Sequence, residues 1–167
     1  MHKRLLVLIA VFALTLPFAS PAAANPPLRQ EFPVPEDGIP LLPELCGFPI
    51  LLTADQDNAK VITFFNTQGQ PRFSLTNGAL KLRLTNTNTG RSIVLNAAGP
   101  GRFDADFSTL STQGNWLIFL NNSPVPGAPS RLFYVTGRSV MDLDGNANAT
   151  TFRLLSGHTE NLCPRLS

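Results

Sequence analysis

Turn signals recur along the sequence from Cys46 onward, about one every ten residues. Each contains glycine, asparagine or aspartate, which adopt turn conformations at low cost. No stretch between them shows a sustained helical period with caps. This spacing is typical of an antiparallel all-β domain. The signals lie at 55–58, 67–69, 77–78, 88–90, 99–101, 113–114, 126–127, 144–145 and 156–157.

The segments between the turns alternate as strands do. In residues 79–85, three leucines fall on one face, and Lys81 and Arg83 fall on the other. Further segments of this kind are 102–107, 131–135 and 151–154. We therefore predict a single antiparallel β-sandwich or flattened β-barrel of about nine strands. Periodicity does not separate the two, because side chains alternate in and out in both.

The N-terminus has the organisation of a secretory signal peptide. A positive region at residues 1–4 precedes an apolar stretch at 5–16, and Ala24 ends a run of small residues. We predict cleavage between Ala24 and Asn25. The apolar stretch is shorter than the roughly 20 residues that span a bilayer, and no comparable run follows. The mature chain is therefore expected to be secreted, extracellular and without a membrane span.

The charge balance excludes two classes of partner. The full sequence has 13 Lys plus Arg and 11 Asp plus Glu. Because Lys3 and Arg4 lie in the predicted signal peptide, the mature chain is neutral. A neutral chain without a Lys/Arg run lacks the basic surface that binds nucleic acid or anionic lipid.

A proline-rich stretch separates the signal peptide from the turn-punctuated region. Six prolines between Asn25 and Leu45 favour extended polyproline II over a helix or a hydrogen-bonded ladder. The predicted organisation is a signal peptide at 1–24, an extended lead at 25–45 and an all-β domain at 46–167.

The two cysteines, Cys46 and Cys163, lie near the ends of the globular part. In an oxidising compartment they are expected to pair. A bridge over so long a loop contributes on the order of 4–5 kcal/mol in the chain-entropy account. Free thiols or a catalytic cysteine are the alternatives, although no partner histidine is apparent.

The run 116–120 departs from alternation, because it is apolar on both faces. A central strand covered on both sides would explain it. A strand that lines a ligand cavity, or an exposed patch that meets a partner, are the alternatives. Trp116, Ile118 and Leu120 are therefore the candidate apolar ligand surface.

Few residues suit catalysis. His158 follows a predicted turn, where an imidazole ordinarily faces solvent, and no Gly-x-Ser-x-Gly elbow is present. Asp104 and Asp106 are predicted to share a strand face with Cα atoms about 6.5–7 Å apart. Glycoside hydrolases use paired carboxylates, but a half-exposed strand places aspartates in the same way. We expect no catalytic site and no cofactor.

Residues 142–148 resemble a calcium loop in their first, third and fifth positions. An EF-hand would need Gly where Ala147 stands and Glu where Arg153 stands. A hairpin loop is therefore favoured over a calcium turn of another kind, and no metal site is expected.

Several motifs together carry a resemblance to a known family. They are Cys-Gly-Phe-Pro at 46–49, Thr-Asn at 85–86 with Thr-Gly-Arg-Ser at 89–92, Gly-Pro at 99–100, Trp116, Pro-Gly at 126–127, Tyr134 with Gly-Arg at 137–138, and Cys163. Over about residues 40–165, the chain resembles a family of small secreted actinobacterial proteins of unknown function. Members often carry Asp-Gly before the central apolar strand, where this chain has Gln113-Gly114. The resemblance implies a secreted, cysteine-bracketed all-β fold and no catalytic residues.

Three functions are compatible with these features. The first is a secreted, non-enzymatic binding or envelope-associated module, whose neutral surface suits cell-wall material, glycans, peptides or small apolar molecules. The second is a carrier of a small apolar ligand in a barrel cavity near residues 116–120. The third is a secreted hydrolase, or an inhibitor of one, with Asp104, Asp106 and His158 as its candidate residues.

Overall fold

A computed structural model describes residues 25–31, 34–120, 131–144 and 149–167. The predicted signal peptide, including Ala24, lies outside these residues, as do the predicted turn at 126–127 and Gly145. Among the described residues, no helix is long and apolar enough to cross a membrane. The elements are β1 (Leu28–Glu31), β2 (Ile39–Leu41), a 3₁₀ turn (Pro43–Leu45), β3 (Ile50–Asp57), β4 (Lys60–Phe65), β5 (Pro71–Asn77), β6 (Leu80–Asn86), β7 (Ser92–Asn96), β8 (Gly101–Asp104), β9 (Thr109–Phe119), β10 (Leu132–Leu143), β11 (Ala149–Asn161) and α1 (Cys163–Leu166).

The strands form two antiparallel sheets. One has seven strands in the order β1-β4-β5-β8-β9-β10-β11, and the other has four in the order β2-β3-β6-β7. The sheets do not join into a closed barrel. They pack face to face, because one hydrophobic cluster draws residues from both. The predicted all-β fold is confirmed, in its sandwich form.

Strand β6 shows how the alternating pattern builds this sandwich. Leu82 and Leu84 are buried at 6% and 0% exposure, whereas Lys81 on the opposite face is exposed. Leu84 lies opposite Leu52 of β3, so the leucines of neighbouring strands form one apolar layer. The strand predicted at 79–85 is confirmed.

The proline-rich lead departs from its predicted conformation. Strand β1 pairs with β4, and β2 pairs with β3, both antiparallel. The polyproline II prediction was therefore wrong for these stretches. Both are edge strands. An edge strand such as β2 tolerates Pro40, because its solvent side has no neighbouring strand to which an N–H group would donate. They bring the number of strands in the described residues to eleven, two more than predicted.

A row of three glycines runs across the longest strands. Gly114 of β9, Gly137 of β10 and Gly157 of β11 lie directly opposite one another, and each has a positive φ. A Cβ on Gly157 would lie 1.9 Å from the backbone oxygen of Thr136. Only glycine fits such a position. The turns predicted at 113–114 and 156–157 were therefore wrong, because both dipeptides lie within strands.

The glycine row bends the seven-stranded sheet. Phe133 and Phe152 lie on opposite sides of the row along β10 and β11, yet their ring centroids are 5.0 Å apart. The bend thus folds one face of the sheet onto itself and encloses a second core. Its buried members are Leu110, Ile118, Leu120, Phe133, Val135, Met141 and Phe152.

The C-terminal segment closes one end of the space between the sheets. Leu162 and Leu166 are fully buried in the hydrophobic cluster between the two sheets. The predicted bridge between Cys46 and Cys163 is present, with its Cα atoms 5.2 Å apart. The buried Asn86 side chain donates a hydrogen bond of 2.9 Å to the carbonyl oxygen of Leu166. Asn86 of the Thr-Asn motif therefore holds the C-terminus in place.

Candidate functional site: an apolar cavity between the sheets

A cavity of about 390 Å³ lies between the sheets, at the end away from α1. The residues along strand β6 show where the cavity lies. Leu80 and Leu82 line the cavity, whereas Leu84 does not, and Asn86 at the end of the strand contacts α1. Both sheets, the lead and three connections form the wall. The residues are Val34, Ile39, Leu41, Leu52, Ala59, Lys60, Val61, Thr76, Asn77, Gly78, Leu80, Leu82, Ala97, Gly99, Phe103, Trp116, Leu117 and Phe119.

The cavity reaches solvent through an apolar rim. Ile39 and Phe119 both line it, and they are 40% and 42% exposed. They come from the edge strand β2 and from the end of β9, on the two sheets. A continuous apolar surface therefore leads from the outside of the molecule into the space between the sheets.

Gly99, in the connection before β8, and Gly101, the first residue of β8, set the position of Trp116. A Cβ on Gly99 would lie 2.4 Å from Trp116 Nε1, and one on Gly101 would lie 2.5 Å from the six-membered part of the ring. The indole therefore packs directly on the backbone at these two glycines. Gly99 of the Gly-Pro motif is thus part of the cavity wall.

Two polar atoms in the wall have no hydrogen-bond partner. Among the described residues, Trp116 Nε1 and Thr76 Oγ1 are the buried side-chain nitrogen and oxygen atoms in this state. A buried polar group without a partner costs about 1–3 kcal/mol. Such groups are few in native proteins, and here both belong to residues that line one cavity.

The described part of the wall carries a single charged residue, Lys60. Its ammonium lies 3.5 Å from the carboxylate of Glu31 on the neighbouring strand. Lys60 and Glu31 face each other across the ladder, so their side chains share a sheet face that alternates with that of Val61. The wall thus presents no unpaired charge to a ligand.

The structure separates the three residues proposed as a ligand surface. Trp116 lines the cavity, while Ile118 and Leu120 lie in the second core at 6% and 5% exposure. Their neighbours Leu117 and Phe119 line the cavity instead. The end of β9 passes along the cavity, so it contributes residues from both of its faces.

The sequence did not predict that residues from the other strands line a cavity. Val61 and Leu80 look like ordinary core positions in the sequence, and Val34 and Ile39 belong to the proline-rich lead. An apolar residue that lines a void carries the same sequence pattern as one that fills a core. In the sequence, the run at 61–65, which includes Val61, is a weaker counterpart of the apolar run at 116–120.

The two aspartates considered for catalysis do not share a strand face. Strand β8 ends at Asp104, and Asp106 lies in the turn that follows, so that prediction was wrong. Burial raises the pKa of Asp104, but hydrogen bonds from the backbone N–H of Thr109 and the hydroxyl of Ser108 outweigh it and bring the pKa below its ordinary value. Asp104 therefore serves as an ionised acceptor that holds the turn.

His158 lies in β11 and not at the predicted turn. It is exposed and faces Thr136, next to the glycine row. Asp104 lies on β8, separated from β11 by β9 and β10 in the sheet. The three residues considered for hydrolysis thus belong to a strand end, a turn and a distant edge strand.

The loop at 142–148 is described only in part, because residues 145–148 lie outside the described residues. Within the described ranges, no group of three or more His, Cys, Asp or Glu side chains is placed to hold a metal ion. Asp142 accepts a hydrogen bond of 2.7 Å from the hydroxyl of Thr151 across the hairpin.

Comparison of the chain with protein-family models, with curated proteins and with solved structures finds no significant match. The resemblance to a secreted actinobacterial family therefore stays a prediction.

Proposed function

We propose that this protein is a secreted, non-enzymatic binding protein that takes up a small apolar molecule between its two sheets. The observation that carries the proposal is the apolar cavity of about 390 Å³ with its apolar rim. Small-molecule sites are typically concave, largely apolar and a few hundred Å³ in volume. The predicted signal peptide supports a function outside the cell.

The chemistry of the wall favours a molecule with an uncharged body. Leucine, valine and aromatic side chains from both sheets surround the space, and Lys60 is paired with Glu31. Uptake would remove apolar surface from water, which is the main driving force of such binding. It would also give the wall dispersion contacts that an unfilled void lacks.

The position of Trp116 provides a direct assay. It is the only tryptophan of the chain and it lines the cavity, so the tryptophan fluorescence comes from a single residue in the cavity wall. The neutral dye N-phenyl-1-naphthylamine would be titrated into chain purified from a secreting host. We expect a saturable change in Trp116 emission together with enhanced dye emission.

A matched pair of variants tests the location. Val61→Phe places a ring in the cavity, whereas Val94→Phe places one on the exposed side of β7, where Val94 is 44% exposed. We expect Val61→Phe to abolish dye binding and Val94→Phe to leave it unchanged. Circular dichroism would verify that both variants fold. Equal binding by the two variants would refute the proposal.

Native mass spectrometry of the same preparation would search for a natural ligand. Extra mass that survives native ionisation and disappears on denaturation is the expected result. Its absence from Val61→Phe but not from Val94→Phe would assign that mass to the cavity.

A further inference from the structure

We propose a second binding site, for an oxyanion, on the outer face of the seven-stranded sheet. Arg102 of β8 and Arg138 of β10 line one pocket of about 200 Å³ there. The ligand is a carboxylate, sulfate or phosphate group. This site is independent of the cavity between the sheets. Thr76 and Phe103 line that cavity, and the two arginines lie on the opposite face of the sheet.

The strand register brings the two arginines together. Arg102 lies opposite Ser111 of β9, and Arg138 lies opposite Gln113 two residues farther along the same strand. Since cross-strand partners and alternate residues share a face, all four side chains project outward. Two strand spacings and an offset of two residues separate the arginine backbones by about 12 Å, and both side chains reach the same pocket.

Arg102 is held in place by an aromatic pair. Its guanidinium carbon lies 5.0 Å from the centroid of the Phe73 ring. Phe73 in turn stacks on Phe64, with ring centroids 4.7 Å apart. Stacking on an aromatic face leaves the in-plane N–H donors of arginine free for an anion. The sequence alternation at 102–107 had suggested only an ordinary half-exposed strand.

The pocket has donors and positive charge without a matching acid. Within the described ranges, neither Arg102 nor Arg138 forms an ion pair, whereas Arg83 and Arg165 pair with Asp55 and Glu160. Asp104, on the same face, is engaged by Ser108 and Thr109. Two guanidinium groups at one pocket repel each other, and a bound oxyanion would turn that repulsion into attraction.

The neighbouring polar side chains complete the recognition. The hydroxyl of Ser111 and the amide of Gln113 both line the pocket and are exposed. Strands β9 and β10 are linked beneath the pocket, because the side chains of Thr112 and Ser139 share a buried hydrogen bond of 2.6 Å. Arginine forks with adjacent hydroxyl and amide donors are a typical arrangement for oxygen anions.

The test is a titration followed by NMR of the arginine side-chain and backbone N–H groups. Sodium sulfate, phosphate and acetate would be added separately to the ¹⁵N-labelled chain, with sodium chloride at matched ionic strength as reference. We expect saturable shifts at Arg102, Arg138 and Gln113 with at least one of the oxyanions. The oxyanion that binds most tightly identifies the chemical group that the site prefers. Shifts that chloride reproduces, or that no oxyanion causes, would overturn the proposal.

Substitutions of the two arginines test whether the oxyanion binds at this pocket. Arg102→Gln and Arg138→Gln should each raise the Kd of the strongest oxyanion about tenfold, because each removes a charge-assisted contact. Arg153→Gln is the control, since Arg153 is exposed on β11 opposite Val140 and does not line the pocket. An equal loss of affinity in the control would mean that only general surface charge attracts the anion, and would refute the site. The variants carry exposed substitutions, so circular dichroism should match the parent chain.

Discussion

The two ends of the space between the sheets differ in how completely they are filled. At the end beside α1, Leu84, Leu132, Leu162 and Leu166 are all fully buried. At the other end, Ile39 and Phe119 are 40% and 42% exposed and frame the cavity. Strand β6 runs through both ends, so the difference does not arise from its own sequence pattern.

The filled end owes its packing to segments that are distant in sequence. The C-terminal helix supplies side chains there, and the bridge from Cys163 to Cys46 and the hydrogen bond from Asn86 hold it. At the cavity end, the wall includes an edge strand and connections with Gly78 and Gly99, which contribute no side-chain volume. Packing is thereby concentrated at one end, and the other end retains a cavity.

The largest expected effect comes from opening the filled end. The double variant Cys46→Ser with Cys163→Ser should lower the free energy of unfolding by on the order of 4–5 kcal/mol, because the bridge closes a very long loop. Urea unfolding followed by circular dichroism measures it. We expect the folded β spectrum to persist without denaturant. Its complete loss would show that the bridge is required for folding and not only for stability.

A leucine pair on β6 compares the two ends directly. Leu84→Ala should cost about 2–5 kcal/mol, because the site is fully enclosed and closes poorly around a smaller side chain. Leu80→Ala should cost about 1 kcal/mol, because Leu80 is only partly buried and already borders a void. Equal costs in urea unfolding would contradict the contrast between the ends.

Asn86 tests the contact that seats the C-terminal segment. Asn86→Ala should cost about 1–3 kcal/mol, since the carbonyl of Leu166 loses its donor and the N–H of Asn88 loses its acceptor. Asn88→Ala, an exposed change in the same turn, should stay within about 0.5 kcal/mol of the parent. Thermal unfolding of both variants measures the difference. A larger loss of stability in Asn88→Ala than in Asn86→Ala would show that the turn, and not the contact with Leu166, provides the stabilisation.

The smallest effect concerns the turn after β8, beside the cavity residue Phe103. Hydrogen bonds outweigh burial and hold the pKa of Asp104 below its ordinary value, so its contribution to stability is present above the unfolded pKa and is lost as the pH falls through the folded pKa. Asp104→Asn should therefore lower the melting temperature at neutral pH, and the difference from the parent should shrink below about pH 4.

Its control is Asp37→Asn, an exposed change in the lead. We expect its melting temperature at neutral pH to stay close to that of the parent chain. A gap for Asp104→Asn that stays constant down to acidic pH would contradict the assigned role of the carboxylate.

Local patterns predicted an alternating strand such as β6, but neither the two strands of the lead nor the bend of the longest strands. Alternation in 79–85 predicted β6, because burying one face of a strand needs only a period of two. The glycines at 114 and 157 were interpreted as turns, although they lie in strands. A glycine allows a positive φ in either setting, and only the opposing Gly137 shows which one applies.

The candidate site was predicted only at its tryptophan. The run 116–120 indicated a strand apolar on both faces, and the structure places Trp116, Leu117 and Phe119 along the cavity. The other wall residues come from strands separated by many residues. Their convergence on a void depends on which segments fill the rest of the core, and a sequence pattern does not encode that volume.

The sequence by itself determined an antiparallel all-β chain bracketed by Cys46 and Cys163, because turn spacing, alternation and cysteine placement are local properties. Tertiary structure alone decided that the lead pairs with both sheets, that a glycine row folds one sheet over a second core, and that one end of the sandwich stays open. Each of these depends on contacts between distant segments. The energy of such contacts is set by shape and enclosed volume, which no single stretch of the chain specifies.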